Sequence, residues 1–182
     1  MKRCFDIVFS WLAFAIFCVP FTVVSLIILI RDGRPVFFLQ KRVGHNKKTF
    51  LIYKFRTMKD HHVTATGKWL RLTGLDEIPQ FINVLKGEMS IVGPRALTAE
   101  DIDRLGWNDD FHQIRWRVRP GITGLAQLYG GQHKKVSWFW DSQYLAHPDV
   151  GLDFAIVLLS FAMNLLGKTR VRRIIFQKEN LK

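Results

Sequence analysis

Twenty-four consecutive residues, Ile7 to Ile30 (IVFSWLAFAIFCVPFTVVSLIILI), carry no charge. As one helix they reach about 36 Å, enough to cross the roughly 30 Å hydrocarbon core of a bilayer. The run is longer than the apolar stretch of about 7–15 residues in a cleaved signal peptide, and no A-x-A site follows it. Pro20 stands near its middle, where the ring removes one backbone donor and crowds the carbonyl of Ile16, so a break is predicted there. Lys2 and Arg3 precede the run, while Arg31, Arg34, Lys41 and Arg42 follow it. Both flanks therefore favour the cytoplasmic side. A helix that bends at Pro20 and returns to the face it entered satisfies both facts. A spanning helix whose neighbours re-satisfy the freed backbone groups is the other reading.

The remaining residues are those of one globular domain. The chain has 182 residues, 27 Lys plus Arg against 15 Asp plus Glu, and a net charge of +12, which implies anionic partners. Nucleic acid, an anionic membrane surface and phosphorylated substrates all fit that sign. Cys4 and Cys18 have neither zinc-like spacing nor a disulfide framework, which suits a reducing, cytosol-facing protein. After Arg34-Pro35, the stretch VFFLQKRVGHNKKTFLIYKFRTM reads as a β-hairpin turning at Gly44-His45-Asn46. Period-two geometry puts Lys54, Arg56 and Met58 on one face of its second strand. The following KDHHVTATG is a polar loop, and its His61-His62 lacks a third ligand at metal spacing.

The stretch LRLTGLDEIPQFINVLKGEMSIVGPRAL, Leu70 to Leu97, holds the most chemistry. Ile78, Phe81, Ile82 and Leu85 mark one face of a helix that ends at Gly87. Pro79 is tolerated only in a first turn, so the helix starts near Leu75 and carries Asp76 and Glu77 at its beginning. Such carboxylates offset the helix dipole by about 0.3–1 kcal/mol. Alternatively, with Mg²⁺ bridging, they could meet an anionic phosphate there. Gly93-Pro94-Arg95 then places a guanidinium suited to bidentate phosphate contact. In RWRVRPGITG, Arg115, Arg117 and Arg119 recur at period two as on a strand, with only Trp116 interleaved. That falls short of a base-stacking platform and favours small phosphates over nucleic acid. TAEDIDRLGWNDDFHQI reads as an acidic, solvated helix. LDFAIVLLSFAMNLLG gives an apolar helix of about 15 residues, short for a span, and KTRVRRIIFQK follows it. The pair suits a membrane interface, with a buried core helix and a solvated tail as the alternative.

Taken in order, the Pro-containing apolar helix, YKFRTM, LDEIPQFINVLKGEMSIVGPR and VRPGITGLAQ resemble the bacterial sugar transferase family, the small monotopic polyprenyl-phosphate phosphoglycosyl transferases. The resemblance covers nearly the whole chain. It implies an α+β, mainly helical monotopic membrane protein, with residues 1–34 as a re-entrant helix broken at Pro20. Residues 35–182 would form a catalytic domain with a β-hairpin and an interfacial C-terminal helix, on the cytoplasmic face of the inner membrane. The implied reaction moves a sugar phosphate from a UDP-sugar to undecaprenyl phosphate and releases UMP through a covalent aspartyl intermediate, with ping-pong kinetics. An inactive scaffold of the same fold is the alternative. By the same resemblance Asp76 is the nucleophile, Glu77 assists and holds Mg²⁺ with Asp76, and Arg95 contacts the donor. Lys54, Arg56 and Arg119 are assigned as further substrate contacts. Membrane lipids are the expected surroundings, nucleic acid is not an expected partner, and a homo-oligomer is allowed. The chain departs from the family pattern in having Val19 rather than Ser before Pro20, Ala96 rather than Pro after Arg95, and Gly74 rather than Ser before Leu75.

Overall fold

The computed structural model describes residues 2–130 and 134–166. The basic tail KTRVRRIIFQK lies outside the described residues. Helix α1, Lys2–Arg31, runs through Pro20 without interruption, so the predicted break does not divide it. A proline removes a single i→i−4 bond, and the turns on either side carry the helix past it. Next to Pro20, Thr22 Oγ1 donates to Cys18 O at 2.9 Å and Ser25 Oγ to Phe21 O at 2.7 Å, contacts that tend to bend a helix.

Both halves of α1 dock on the rest of the chain. Near its start, Arg3 donates to the carbonyls of Val84 and Leu85 at 2.6 and 2.9 Å. The buried Asp6 carboxylate accepts from Ser90 Oγ at 2.8 Å and Ile91 N–H at 3.0 Å. In its second half, Val24 and Ile28 are buried with Phe55, Leu70 and Ile78. The outer side is apolar and open: Val8, Trp11, Leu12, Ile16 and Val19 are all more than half exposed.

The hairpin forms as expected. Strands β1, Phe37–Val43, and β2, Thr49–Phe55, pair antiparallel with Phe38 opposite Lys54 and Arg42 opposite Phe50. The loop between them has Asn46 and Lys47 at positive φ. A second, minimal hairpin, β3 (Met58–Lys59) and β4 (His62–Val63), turns at Asp60 and His61 and carries the adjacent histidines at its exposed tip. Helix α2, Ala65–Thr73, is capped by Thr64 and stops at Gly74. A 3₁₀ turn, Leu75–Glu77, and helix α3, Gln80–Lys86, follow, and Gly87 ends α3 at φ 81°. Strand β5, Ser90–Val92, pairs in parallel with β6, Gly121–Thr123. Between them lie α4, Ala99–Leu105, and a 3₁₀ helix, Phe111–Arg117. The predicted arginine strand is therefore wound instead. Its buried Trp116 and Arg115 pack inward, which a solvated ladder could not provide. The acidic segment is likewise only half solvated, since Ile102 and Leu105 of α4 are buried.

Helix α5, Lys134–Ala146, and helix α6, Val150–Leu166, complete the described fold. The inner side of α6 supplies Ile156 and Met163 to the main core, with Phe50, Ile52, Val84, Met89 and Val92. Its outer side exposes Phe154, Leu158, Phe161 and Leu166. This helix is thus core on one side, as the buried-helix reading expects, and open apolar surface on the other.

Candidate active site

The site begins at Gly74, whose φ of 74° turns the chain out of α2 and into the 3₁₀ turn that carries Asp76 and Glu77. The pair therefore precedes α3, across Ile78 and Pro79, rather than occupying its first turn. Ile78 packs inward, leaving the two carboxylates half-buried at the surface. From β2, Lys54 Nζ donates to Glu77 Oε1 at 2.6 Å. Lys54 holds Glu77, and among the described residues no side chain donates to the Asp76 carboxylate. Burial pushes the Asp76 carboxyl above its ordinary range, and repulsion from Glu77 pushes it further. Lys54, the Asp76 backbone N–H and Arg71 pull the other way without cancelling the rise.

Arg95 follows β5 on a loop that crosses the β6 segment at very close range. A Cβ on Gly93 would lie 2.4 Å from Arg119 O, and one on Gly121 would lie 2.1 Å from Gly93 N, so both positions require glycine. The Arg95 carbonyl accepts from the Arg115 guanidinium, whose Nε is paired with Asp141 at 2.9 Å. This pair is buried, with side chains 2% and 3% exposed. The Arg95 side chain is half-buried and lines a cleft with Asp101, Arg104 and Trp107. Arg42 is held against the loop that carries Arg95: it donates to Ala96 O at 3.1 Å and pairs with Asp101 at 3.3 Å.

The structure thus joins Lys54 to Glu77 next to Asp76, and separately ties Arg42 to the loop that carries Arg95. The other two cations named from sequence are committed to backbone carbonyls. Because β2 ends at Phe55, Arg56 turns away from Lys54 and donates to Asp32 O, Gly33 O and Arg34 O at 2.7, 2.8 and 3.2 Å, closing the C-terminal end of α1. Arg119 Nε donates to Gly87 O at 2.8 Å. Arg42 was counted in the sequence only as flanking charge. Its position on β1, twelve residues before Lys54 on a strand that must return, is the signal that could have placed it.

Among the described residues no cluster of three or more His, Cys, Asp or Glu side chains stands at metal-binding distance. Mg²⁺ is commonly held by one or two carboxylates together with water and substrate phosphates. Asp76 and Glu77, whose mutual repulsion Lys54 only partly relieves, fit that donor set.

The family model described as bacterial sugar transferase matches residues 1–167. The chain is 34% identical to the UDP-N-acetylgalactosamine-undecaprenyl-phosphate N-acetylgalactosaminephosphotransferase of Aeromonas hydrophila, over 92% of this chain and 44% of the relative. It is also 34% identical to the UDP-glucose:undecaprenyl-phosphate glucose-1-phosphate transferase of Escherichia coli K12, over 92% of this chain and 41% of the relative. The exopolysaccharide production protein ExoY of Rhizobium meliloti is 31% identical, over 86% of this chain and 81% of its own length. The chain thus spans well under half of the first two relatives and most of the third.

Proposed function

Since the chain belongs to the bacterial sugar transferase family, we propose that it moves a sugar phosphate from a UDP-sugar to undecaprenyl phosphate, with Asp76 as the covalent carrier. An Asp76 carboxylate oxygen attacks the sugar-bearing phosphorus. The bond from that phosphorus to the bridging oxygen breaks, and the electron pair leaves with UMP. A phosphate oxygen of the lipid then attacks the same phosphorus, the bond to Asp76 breaks, and undecaprenyl-diphosphate-sugar departs. The observation that carries this reading is the pairing of Lys54 with Glu77, which leaves the neighbouring Asp76 without a side-chain donor among the described residues. Glu77 and Asp76 would hold Mg²⁺, which supplies charge neutralisation for the phosphates when bound. Arg95, with Arg42 behind it, contacts the donor's phosphates.

The protein sits on the cytoplasmic face of the inner membrane. Cations flank both ends of α1, and both halves of this helix are tied to one small body by Arg3 and Asp6 at one end and by the Asp32 and Gly33 carbonyls at the other. The apolar outer sides of α1 and α6 face lipid. These features support a placement of the continuous helix α1 in which both of its ends lie on one side of the membrane.

The test is to incubate detergent-held protein with Mg²⁺, undecaprenyl phosphate and a panel of UDP-sugars, and to identify the nucleotide released. UMP is expected. UDP would mean simple glycosyl transfer and would sink the aspartyl mechanism, and no nucleotide from any donor would point to an inactive scaffold.

The electrostatics of the pair give a pH prediction. Asp76 attacks only when ionised, so the first half-reaction should rise with pH through an apparent pKa above the ordinary carboxylate range. Lys54→Met removes a cation that favours the charged form and should move this limb to higher pH. Glu77→Gln removes the repulsion and should move it lower. Single-turnover UMP release measured from pH 4 to 8 checks both signs.

A further inference from the structure

Helix α2 leads straight into the turn that carries Asp76 and Glu77, and its inner side is fixed on its neighbours. Leu70 is fully buried in a cluster with Val24 and Ile28 of α1 and with Ile78, and Leu75 packs against the same cluster. Residues on both sides of the carboxylate pair thus share one core with α2, which lays the helix against the turn. Gly67 leaves no room for a Cβ against the Thr57 carbonyl, so α2 also rests on the backbone just beyond β2. Arg71 Nε donates to Thr57 Oγ1 at 2.9 Å, and Arg71 is among the cations that draw the Asp76 carboxyl down.

The outer side of α2 is divided lengthwise. Trp69 and Leu72, three residues apart, stack into one stripe, and Lys68 and Arg71 stack into a second beside it. Trp69 is 48% and Leu72 79% exposed, and both cations are exposed. Leu72 is thus more open than Val8, Trp11 or Val19 of α1. The outer sides of α1 and α6 are broad and uncharged, whereas α2 mixes charge with hydrocarbon, as a surface at the polar boundary of a bilayer does. Where α2 ends, a Cβ on Gly74 would lie 3.0 Å from Asn164 Nδ2 of α6. Phe161, one turn before Asn164, is exposed, so the end of α2 adjoins the open apolar side of α6.

We propose that the Trp69–Leu72 stripe seats the first isoprene units of the polyprenyl acceptor while the acceptor's phosphate stands at Asp76. The inference rests on the transfer reading above and adds where the lipid tail lies. Asp76 is on a half-buried turn at the surface, so a lipid that brings its phosphate there withdraws the head end of its tail from the bilayer. An apolar stripe beside the turn replaces the hydrocarbon contact that is lost and keeps that part of the tail out of water. The cationic stripe alongside suits the anionic head of the same molecule. Two apolar side chains flanked by cations match one amphiphile with a single tail, where the acyl chains of the bulk bilayer match the wide uncharged sides of α1 and α6.

The test replaces Leu72 by Gln, a helix former of similar propensity at an open position, so the fold is left intact. Full-length protein in detergent is mixed with Mg²⁺ and the UDP-sugar that wild type uses, first without and then with rising undecaprenyl phosphate. The UMP burst without lipid reports the state of the turn, and the titration gives KM and kcat for the acceptor. Flotation with vesicles of phosphatidylethanolamine and phosphatidylglycerol reports membrane anchoring. The expected L72Q result is a wild-type burst, wild-type flotation, and an acceptor KM raised about 10-fold at unchanged kcat. W69Q/L72Q should raise KM further, and Leu72→Met should restore it. An unchanged KM would overturn the proposal. Weakened flotation would give the stripe to bulk lipid and overturn it as well, and a smaller or slower burst would do so by showing that Leu72 supports the turn. If wild type released no UMP from any donor, the transfer reading would fail and the tail seat with it, an outcome separate from a wild-type burst with the acceptor KM of L72Q unchanged.

Discussion

Replacing Asp76 by Asn should abolish transfer, lowering UMP release by about 10⁴-fold or more, because in the mechanism proposed above the group removed is the one that bonds to phosphorus. The amide keeps the shape of the side chain, so Lys54 and Glu77 remain paired and the turn Leu75–Glu77 is retained. Intact-mass analysis after mixing with a UDP-sugar should show an added sugar phosphate on wild type and none on the variant. The same substitution should make the protein harder to unfold. Asp76 is raised in the folded state by burial and by Glu77. Its protonated form is therefore the one that folding favours. Stability linked to it is fully present below the unfolded carboxyl value of about 3.9 and is lost as pH climbs through the higher folded value. Asn carries no such penalty, and the variant should melt about 1–3 °C above wild type at neutral pH, with the difference closing near pH 4. Equal melting curves at pH 7 would contradict the charge argument even if activity were lost.

The largest loss of stability is expected at Arg115. Its guanidinium holds Asp141, donates to the Arg95 carbonyl, and lies 5.3 Å from the Trp107 ring centroid and 5.0 Å from that of Trp116. Arg115→Met leaves a carboxylate with 3% exposure and no counter-charge, a change that costs about 3–5 kcal/mol. Burial already raises the Asp141 carboxyl, with Arg115 pulling against it, so the single variant should bind a proton at Asp141 and be least stable at high pH. Adding Asp141→Leu should recover most of the lost stability, since an apolar pair of similar volume replaces a buried ion pair with little net cost. Activity should not recover with it, because the Arg95 loop has lost the donor that fixes its backbone. Thermal unfolding and UMP release measured on both variants separate the two effects, and a double variant as active as wild type would remove Arg115 from the positioning of Arg95.

Residues that act through local geometry were legible in the sequence. Gly74, Pro79 and Gly87 punctuate the chain on either side of Asp76 and Glu77, and local chain geometry is all that placing this turn requires. The hairpin was legible for the same reason. What period-two reasoning misplaced was the fate of the arginines. It carried β2 beyond Phe55 to include Arg56, and it read Arg115 to Arg119 as a strand. The indoles of Trp107 and Trp116 and the carboxylate of Asp141 give Arg115 a buried setting, and none of these is recognisable as its neighbour from spacing alone. Asp6 escaped notice likewise, since its partners Ser90 and Ile91 lie more than eighty residues away.

The docking of α1 also bears on the order of assembly. Phe5 and Phe9 pack on the main core, and Val24 and Ile28 are members of the cluster that contains Phe55, Leu70 and Ile78. Neither cluster is closed until the first helix is in place, although that helix leaves the ribosome before any of its partners. A fragment beginning at residue 35, made to avoid detergent, would therefore expose the apolar sides of both clusters and aggregate instead of yielding a soluble enzyme. In the orientation proposed, insertion into lipid and completion of the catalytic domain are one folding event.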